Sequence, residues 1–303
     1  MKDLLSVRPL SLENVEKILQ TATSFLDVSK RDIKKVPTLR GKTIVLAFFE
    51  NSTRTKLSFE LAAKRLSADI ISFSSSTSST KKGESLLDTA RNIDAMSPDL
   101  MVLRHSQSRA PHLLAKHFDW GVINAGDGIN EHPTQALLDL LTLKQNLGDI
   151  RGRKIGIIGD VYHSRVARSN IILLQKMGAK VIIAGPGTLC PDLLLHLGVD
   201  IRHGIDDVID DIDALMMLRV QRERLEPAVM PSVDEYSRLY GLSLQRANKL
   251  RKDAVILHPG PINRGVEMDS DVVASERSVI MDQVKNGIAI RMALLYLLLG
   301  SQS

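Results

Sequence analysis

Eight short apolar runs, at residues 43–48, 69–73, 99–103, 121–125, 154–158, 180–184, 213–218 and 254–257, recur along this chain with helical patterns between most of them. Thr43-Ile44-Val45-Leu46-Ala47-Phe48 is typical: β-branched and apolar throughout, as a strand buried on both faces should be. Strand, helix, strand at this spacing predicts parallel sheets covered by helices. At 303 residues the chain exceeds the usual size of a single core, so two domains are predicted, each with its own core. A helical stretch at 132–148 ends in Leu147-Gly148, and Arg151-Gly152-Arg153 precedes the next strand, which places the handover near residue 150. The expected architecture is therefore α/β, with a domain over 1–149, a second over 150–280, and the active site in the cleft between them. In such sheets ligands bind at the carboxyl ends of the strands.

Those carboxyl ends carry the informative residues. Ser52-Thr53-Arg54-Thr55 follows the strand 43–48 and precedes the helical pattern from Leu57 to Leu66. Free backbone N–H groups and the positive end of a helix dipole point there, and three hydroxyls with a guanidinium add donors suited to phosphate oxygens. An ordinary N-cap is the plainer reading, but one hydroxyl suffices for a cap. Arg104-His105 follows the strand that ends in Leu103, and His132-Pro133-Thr134-Gln135 opens another helix, where proline belongs in the first turn. A histidine at that end is disfavoured as a cation by the dipole, so His132 reads as a neutral hydrogen-bond donor. Ser78 and Lys82 lie in a serine-rich run that reads either as a solvated loop or as a mobile one closing over an anion.

In the second half, Arg165 follows the strand 154–158, and Arg219-Val220-Gln221 follows the strand that ends at Leu218. Arginines from successive strand ends can clamp two carboxylates bidentately, although a single surface arginine says little. His258-Pro259-Gly260-Pro261 follows the strand 254–257; its prolines remove N–H donors and leave rigid carbonyls as acceptors. Two other motifs fail. Gly41-Lys42-Thr43 resembles the end of a P-loop, but the glycine needed five positions earlier is Val36, and Gly156-Ile157-Ile158-Gly159 lacks dinucleotide-loop spacing, so neither ATP nor NAD is expected.

Composition narrows the partners. A formal charge of +5 favours anions, yet no block of five like charges occurs and only 4% of residues are aromatic, which disfavours a nucleic-acid groove. The single Cys190 gives neither a disulfide nor metal-ligand spacing and suits an intracellular, cytoplasmic protein. Met1 to Leu5 lacks a signal-peptide core, and the apolar stretch Ile288–Leu299 is too short to span a bilayer and contains Arg291, so it reads as a packing helix.

Taken together and in order, Ser52 to Thr55, Ser78 to Glu84, Arg104-His105, His132 to Gln135, Arg165, Arg219-Val220-Gln221 and His258 to Pro261 resemble the signature set of aspartate carbamoyltransferase catalytic chains, in the aspartate/ornithine carbamoyltransferase superfamily, over essentially the whole length. The resemblance implies a carbamoyltransferase that makes N-carbamoyl-L-aspartate and phosphate from carbamoyl phosphate and L-aspartate, in pyrimidine biosynthesis. It further implies a homotrimer with sites at subunit interfaces and no metal or organic cofactor. The first domain would bind carbamoyl phosphate and be completed by the C-terminal helix, about 281–303; the second would bind aspartate. By the same resemblance Ser52, Thr53, Arg54 and Thr55 hold the phosphate, with Arg104 shared between phosphate and carbonyl oxygen. Thr55, Arg104 and His132 donate to that oxygen; Gln135 and the backbone carbonyls of Gly260 and Pro261 receive the carbamoyl amide hydrogens. Ser78 and Lys82 reach in from the neighbouring subunit, and Lys82, Arg165, Arg219 and Gln221 hold aspartate.

Some family members have Leu-Pro where this chain has Gly260-Pro261, a change that keeps the backbone acceptor and alters packing. The nearest alternative is ornithine carbamoyltransferase, whose pocket needs an acid and a His-Cys-Leu-Pro turn that this chain lacks. A non-catalytic scaffold for a dihydroorotase is a second; the residues of the site are all present, which speaks against it. Assembly with regulatory chains is not readable from this chain.

Overall fold

The computed structural model describes residues 1–74, 84–220 and 232–300. It divides into two compact units, one of Met1–Leu138 with the chain from Lys285 onward, the other of Asp139–Val284. The first unit contains α1 (Leu12–Lys30), β1 (Thr43–Phe48), α2 (Thr53–Arg65), β2 (Asp69–Ser74), α3 (Leu86–Asp94), β3 (Leu100–His105), α4 (Ala110–His117) and β4 (Gly121–Asp127). α5 (Pro133–Leu147) passes from one unit into the other. The second unit contains β5 (Lys154–Ile158), α6 (Arg165–Lys176), β6 (Lys180–Ala184), β7 (Asp200–Arg202), β8 (Ala214–Met217), α7 (Val233–Tyr240), α8 (Leu244–Ala247), β9 (Val255–Leu257), α9 (Ser270–Val273) and the start of α10 (Ile280–Leu299).

Every ladder in both sheets is parallel, as the apolar runs predict. The strand orders are β2-β1-β3-β4 and β7-β6-β5-β8-β9. All eight predicted strands form; the ninth, β7, has no apolar signature because this three-residue edge strand is largely exposed. The unit division falls within α5, at 138/139, whereas sequence punctuation points to residue 150. Asp139 shows why: it is fully buried and accepts hydrogen bonds from Asn170 and Gln283, both of the second unit, so the helix changes allegiance before its chain ends.

The first core joins Val45, Ala47, Met101, Leu103 and Val122 from the sheet to Ala90, Ile93, Leu114 and Trp120. The second packs Ile158, Ile182, Leu215, Met217 and Ile256 against Val208, Ile212, Leu250 and Val272. At the amino ends of the strands, acids take the backbone donors: Asp99 accepts from Thr43 N–H at 2.8 Å and pairs with Lys42, and Asp213 accepts from Lys154 N–H at 2.9 Å and pairs with Arg153. In each unit a cation-paired acid thus ties off that edge, and the arginines described next lie at the other.

Cys190 is 4% exposed. Burial, reinforced by Asp192 and Asp160, pushes its thiol from an ordinary 9.0 up to about 12. Near neutral pH the native protein should resist alkylation and take up one equivalent on unfolding; mass spectrometry with and without denaturant checks this. Because the folded value lies above the unfolded one, this burial costs nothing below pH 9.0, and native stability should fall as pH rises from 9.0 towards about 12.

Candidate functional site

In the first sheet the chain reverses direction between β1 and β3, because β2 lies on one side of β1 while β3 and β4 lie on the other. Ligands of parallel sheets bind outside the carboxyl ends at such a switch point. Ser52–Thr55 leaves β1 there. Arg104 stands beside it in register with Phe48, and His132 and Gln135 follow β4. These three groups, separated by about 30 to 80 positions in sequence, therefore lie along one edge of the sheet.

The opening of α2 differs from the other serine-initiated helices. Ser11, Ser85, Ser164, Ser232 and Ser243 each accept the N–H three residues on, but Ser52 makes no such side-chain bond. No acid occupies the first turn of α2, and Thr53 and Arg54 are exposed while Thr55 is buried. The plain N-cap reading is thus set aside, and the end is left open to an anion with the dipole in its favour. From α10, Arg291 holds the next turn, donating to Ser58 Oγ at 2.7 Å with its guanidinium 5.1 Å from the Phe59 ring centre.

Arg104 is 9% exposed and is aimed by two acceptors: Glu50 Oε1 at 3.0 Å from Nη2 and the Ala125 carbonyl at 3.2 Å from Nη1. Burial lowers the pKa of the neighbouring His105, against the pull of Glu50 and Asp127, and its Nδ1 accepts Gln107 N–H. The loop before His132 is gathered by Asp127, which is fully buried and accepts from Asn124 Nδ2, Asn130 Nδ2, Glu131 N–H and Arg109 N–H at 2.6–3.0 Å. Gly128 has φ +52 and sits where a Cβ would lie 2.7 Å from the Ser106 carbonyl, so only glycine fits this loop. His132 and Gln135 are buried at the start of α5, at 4% and 9% exposure.

The second sheet reverses between β5 and β8. Arg165 begins α6 after β5, with Ser164 capping the helix, and is 6% exposed. Arg219 follows β8 and is half-buried, and the turn His258–Pro261 follows β9. Asn263 Nδ2 donates to the Val220 carbonyl at 3.2 Å, tying the last two together. Asp160, 1% exposed, has its carboxyl pKa raised by burial although His163 donates to it. Gly260 has φ +65, and its bond to Pro261 is cis. Ser78, Lys82 and Gln221 lie outside the described residues.

Sequence reasoning assigned no role to Glu50, Asp127 or Asp160. The available signal was an acid at or just beyond a strand's carboxyl end; what it holds, 54 residues away for Glu50, was not readable. Among the described residues no group of three or more acids, histidines or cysteines is placed to hold a metal, and no helix is long and apolar enough to cross a membrane.

Two parallel α/β units, each with arginine at its switch point, place in each unit a guanidinium suited to an anionic ligand. The chain belongs to the aspartate/ornithine carbamoyltransferase family: residues 2–145 match its carbamoyl-P binding domain and 151–298 its Asp/Orn binding domain. It is 54% identical over 301 residues to the aspartate carbamoyltransferase catalytic subunit of Syntrophotalea carbinolica, covering 99% of this chain and 96% of that one. Aspartate transcarbamoylase from Trypanosoma cruzi, crystallised with carbamoyl phosphate and aspartate, superposes with a TM-score of 0.87 at 28% identity, covering 98% of this chain and 97% of the other. Ornithine carbamoyltransferase from Pyrococcus furiosus gives the same TM-score, 0.87, and identity, 28%, over 100% and 98%. Backbone shape therefore does not separate the two activities.

Proposed function

We propose that this chain is an aspartate carbamoyltransferase, transferring the carbamoyl group of carbamoyl phosphate to the α-amino group of L-aspartate in de novo pyrimidine biosynthesis. The carrying observation is the pair of switch points with arginines at each, together with more than half identity to catalytic subunits of that name. Ser52, Thr53, Arg54 and Thr55 take the phosphate at the open end of α2. Thr55, Arg104 and His132 donate to the carbonyl oxygen as it gains charge, an oxyanion-hole arrangement. Gln135 and the Gly260 and Pro261 carbonyls accept the carbamoyl N–H groups. Arg165, Arg219 and Gln221 hold the carboxylates of aspartate, and Lys82 contacts both substrates. The amine nitrogen attacks the carbamoyl carbon, the C–O bond to phosphate breaks, and the departing phosphate takes the amine proton. Donors that grip the tetrahedral state more tightly than the ground state supply the rate, and holding two anions side by side supplies much of the rest.

The assembly we propose is a cytoplasmic homotrimer in which Ser78 and Lys82 serve the neighbouring subunit's site. It is supported by apolar side chains left exposed around the phosphate end: Leu57 and Leu61, one turn apart on α2, and Ile71 on the edge strand β2. Phosphate release from carbamoyl phosphate should require L-aspartate and not occur with L-ornithine; activity only with ornithine reverses the substrate assignment, and none with either supports the scaffold reading. Arg54→Ala and Lys82→Ala chains, each inactive, should regain partial activity when dissociated and mixed, because some mixed trimers contain an intact site. No recovery despite mixing shown by native mass spectrometry rules out sharing.

A further inference from the structure

Beneath the turn His258–Pro261 lies a polar group of residues with no contact to solvent. His258 Nδ1 accepts the Gly260 N–H at 2.8 Å, so the ring proton sits on Nε2. That nitrogen lies 3.3 Å from Glu267 Oε1, off the axis of a good hydrogen bond, with both side chains fully buried. The same Oε1 accepts the Asn263 N–H at 2.6 Å. On the other flank the His258 N–H donates to Gln283 Oε1 at 3.0 Å, and Gln283 Nε2 donates to Asp139 Oδ1 at 2.7 Å, which fixes the orientation of the amide. Three backbone N–H groups of the segment 258–263 are thus held by buried side chains, two of them through His258 and Glu267.

A buried carboxylate beside an imidazole is a costly way to fill a core, since apolar residues of the same volume often serve stability equally well. What it supplies is geometry: three backbone N–H groups of the turn each end on a buried acceptor that has little room to move. We propose that His258 and Glu267 are positioning residues for carbamoyl transfer: with His258 held as the Nε2–H tautomer, the pair sets the direction of the Gly260 and Pro261 carbonyls that receive the carbamoyl N–H groups. This rests on the reading of the turn given under the proposed function and extends it to residues that touch no substrate.

The test compares Glu267→Leu and Glu267→Gln with the wild type, reading kcat with carbamoyl phosphate and the inhibition constant of inorganic phosphate. Misdirected acceptors should lower kcat of the leucine variant by about 100-fold. Phosphate inhibition, which depends on α2, should stay within about 3-fold. Glutamine keeps the Oε1 acceptor and should restore most of kcat. A folded leucine variant with kcat unchanged, or a parallel loss of kcat and phosphate inhibition, overturns the proposal. Should the leucine variant not fold, nitrogen-15 NMR of the wild-type imidazole decides: the Nε2–H tautomer is expected, and an Nδ1–H tautomer or an imidazolium overturns it. A wild type with no transfer to aspartate would instead sink the substrate assignment, while the tautomer measurement would still report separately on the pair.

Discussion

Arg104→Ala should lower kcat/KM for carbamoyl phosphate by about 10³-fold or more. Removal of one preorganised donor to a developing oxyanion costs about 3–4 kcal/mol, and here the same guanidinium also serves the phosphate. The ground for expecting a loss at the upper end is the placement of the side chain. It is 9% exposed, aimed by the Ala125 carbonyl and Glu50, and stands one strand from the opening of α2. Arg104→Lys keeps a charge without the fork, so it should recover only part of the rate. Alanine also takes the Arg104 guanidinium away from the Glu50 carboxylate, whose side chain is 17% exposed, and should cost about 1–3 kcal/mol of stability. Steady-state kinetics at saturating aspartate, with urea denaturation of the same variant, separates the two effects; a rate within 3-fold of wild type would remove Arg104 from the mechanism.

Asp127→Ala should be the most destabilising single change in the loop that delivers His132. Its carboxylate accepts four hydrogen bonds without solvent contact, one of them from the N–H of Arg109, which holds the left-handed conformation at φ +68. Truncation leaves buried donors unsatisfied, at about 1–3 kcal/mol for each one that water cannot reach. A total of about 3–5 kcal/mol is expected, near the upper limit for point substitutions. Asp127→Asn should lose less than alanine because the amide oxygen still accepts, but it should not restore full stability because its NH2 group then faces donors. A melting temperature unchanged from wild type would show that the loop holds itself. If the loop moves, activity should fall with stability, since His132 directly follows Glu131, the last residue that Asp127 anchors.

Most strands were legible because a strand buried on both faces must be a short apolar run; the exposed edge strand β2 was legible through Ile70, Ile71 and Phe73. β7 was not, since a three-residue exposed edge strand with one apolar residue carries no such signal. The placement of Ser52–Thr55, Arg104 and Arg165 at the carboxyl ends of strands was legible for a related reason. Donors that follow a strand at its carboxyl end can be recognised from neighbours in the chain alone, and the order of the motifs then carried the family resemblance. The partners of these residues were not legible. Glu50 lies only two residues before Ser52, yet nothing local says that it aims Arg104 across β1 and β3. Neither His258 nor Glu267 announces that it meets the other.

The sequence by itself determined most of the strands, the parallel class of both sheets and which polar residues follow the strands' carboxyl ends, because each depends on periodicity and side-chain chemistry within a few residues. Only the tertiary structure decided the strand orders, and with them the two switch points where those donors gather. It also decided the buried acids that direct them. Strand order and buried pairing arise from contacts between segments tens of residues apart, whose free energy depends on packing and exclusion of water that no local pattern encodes.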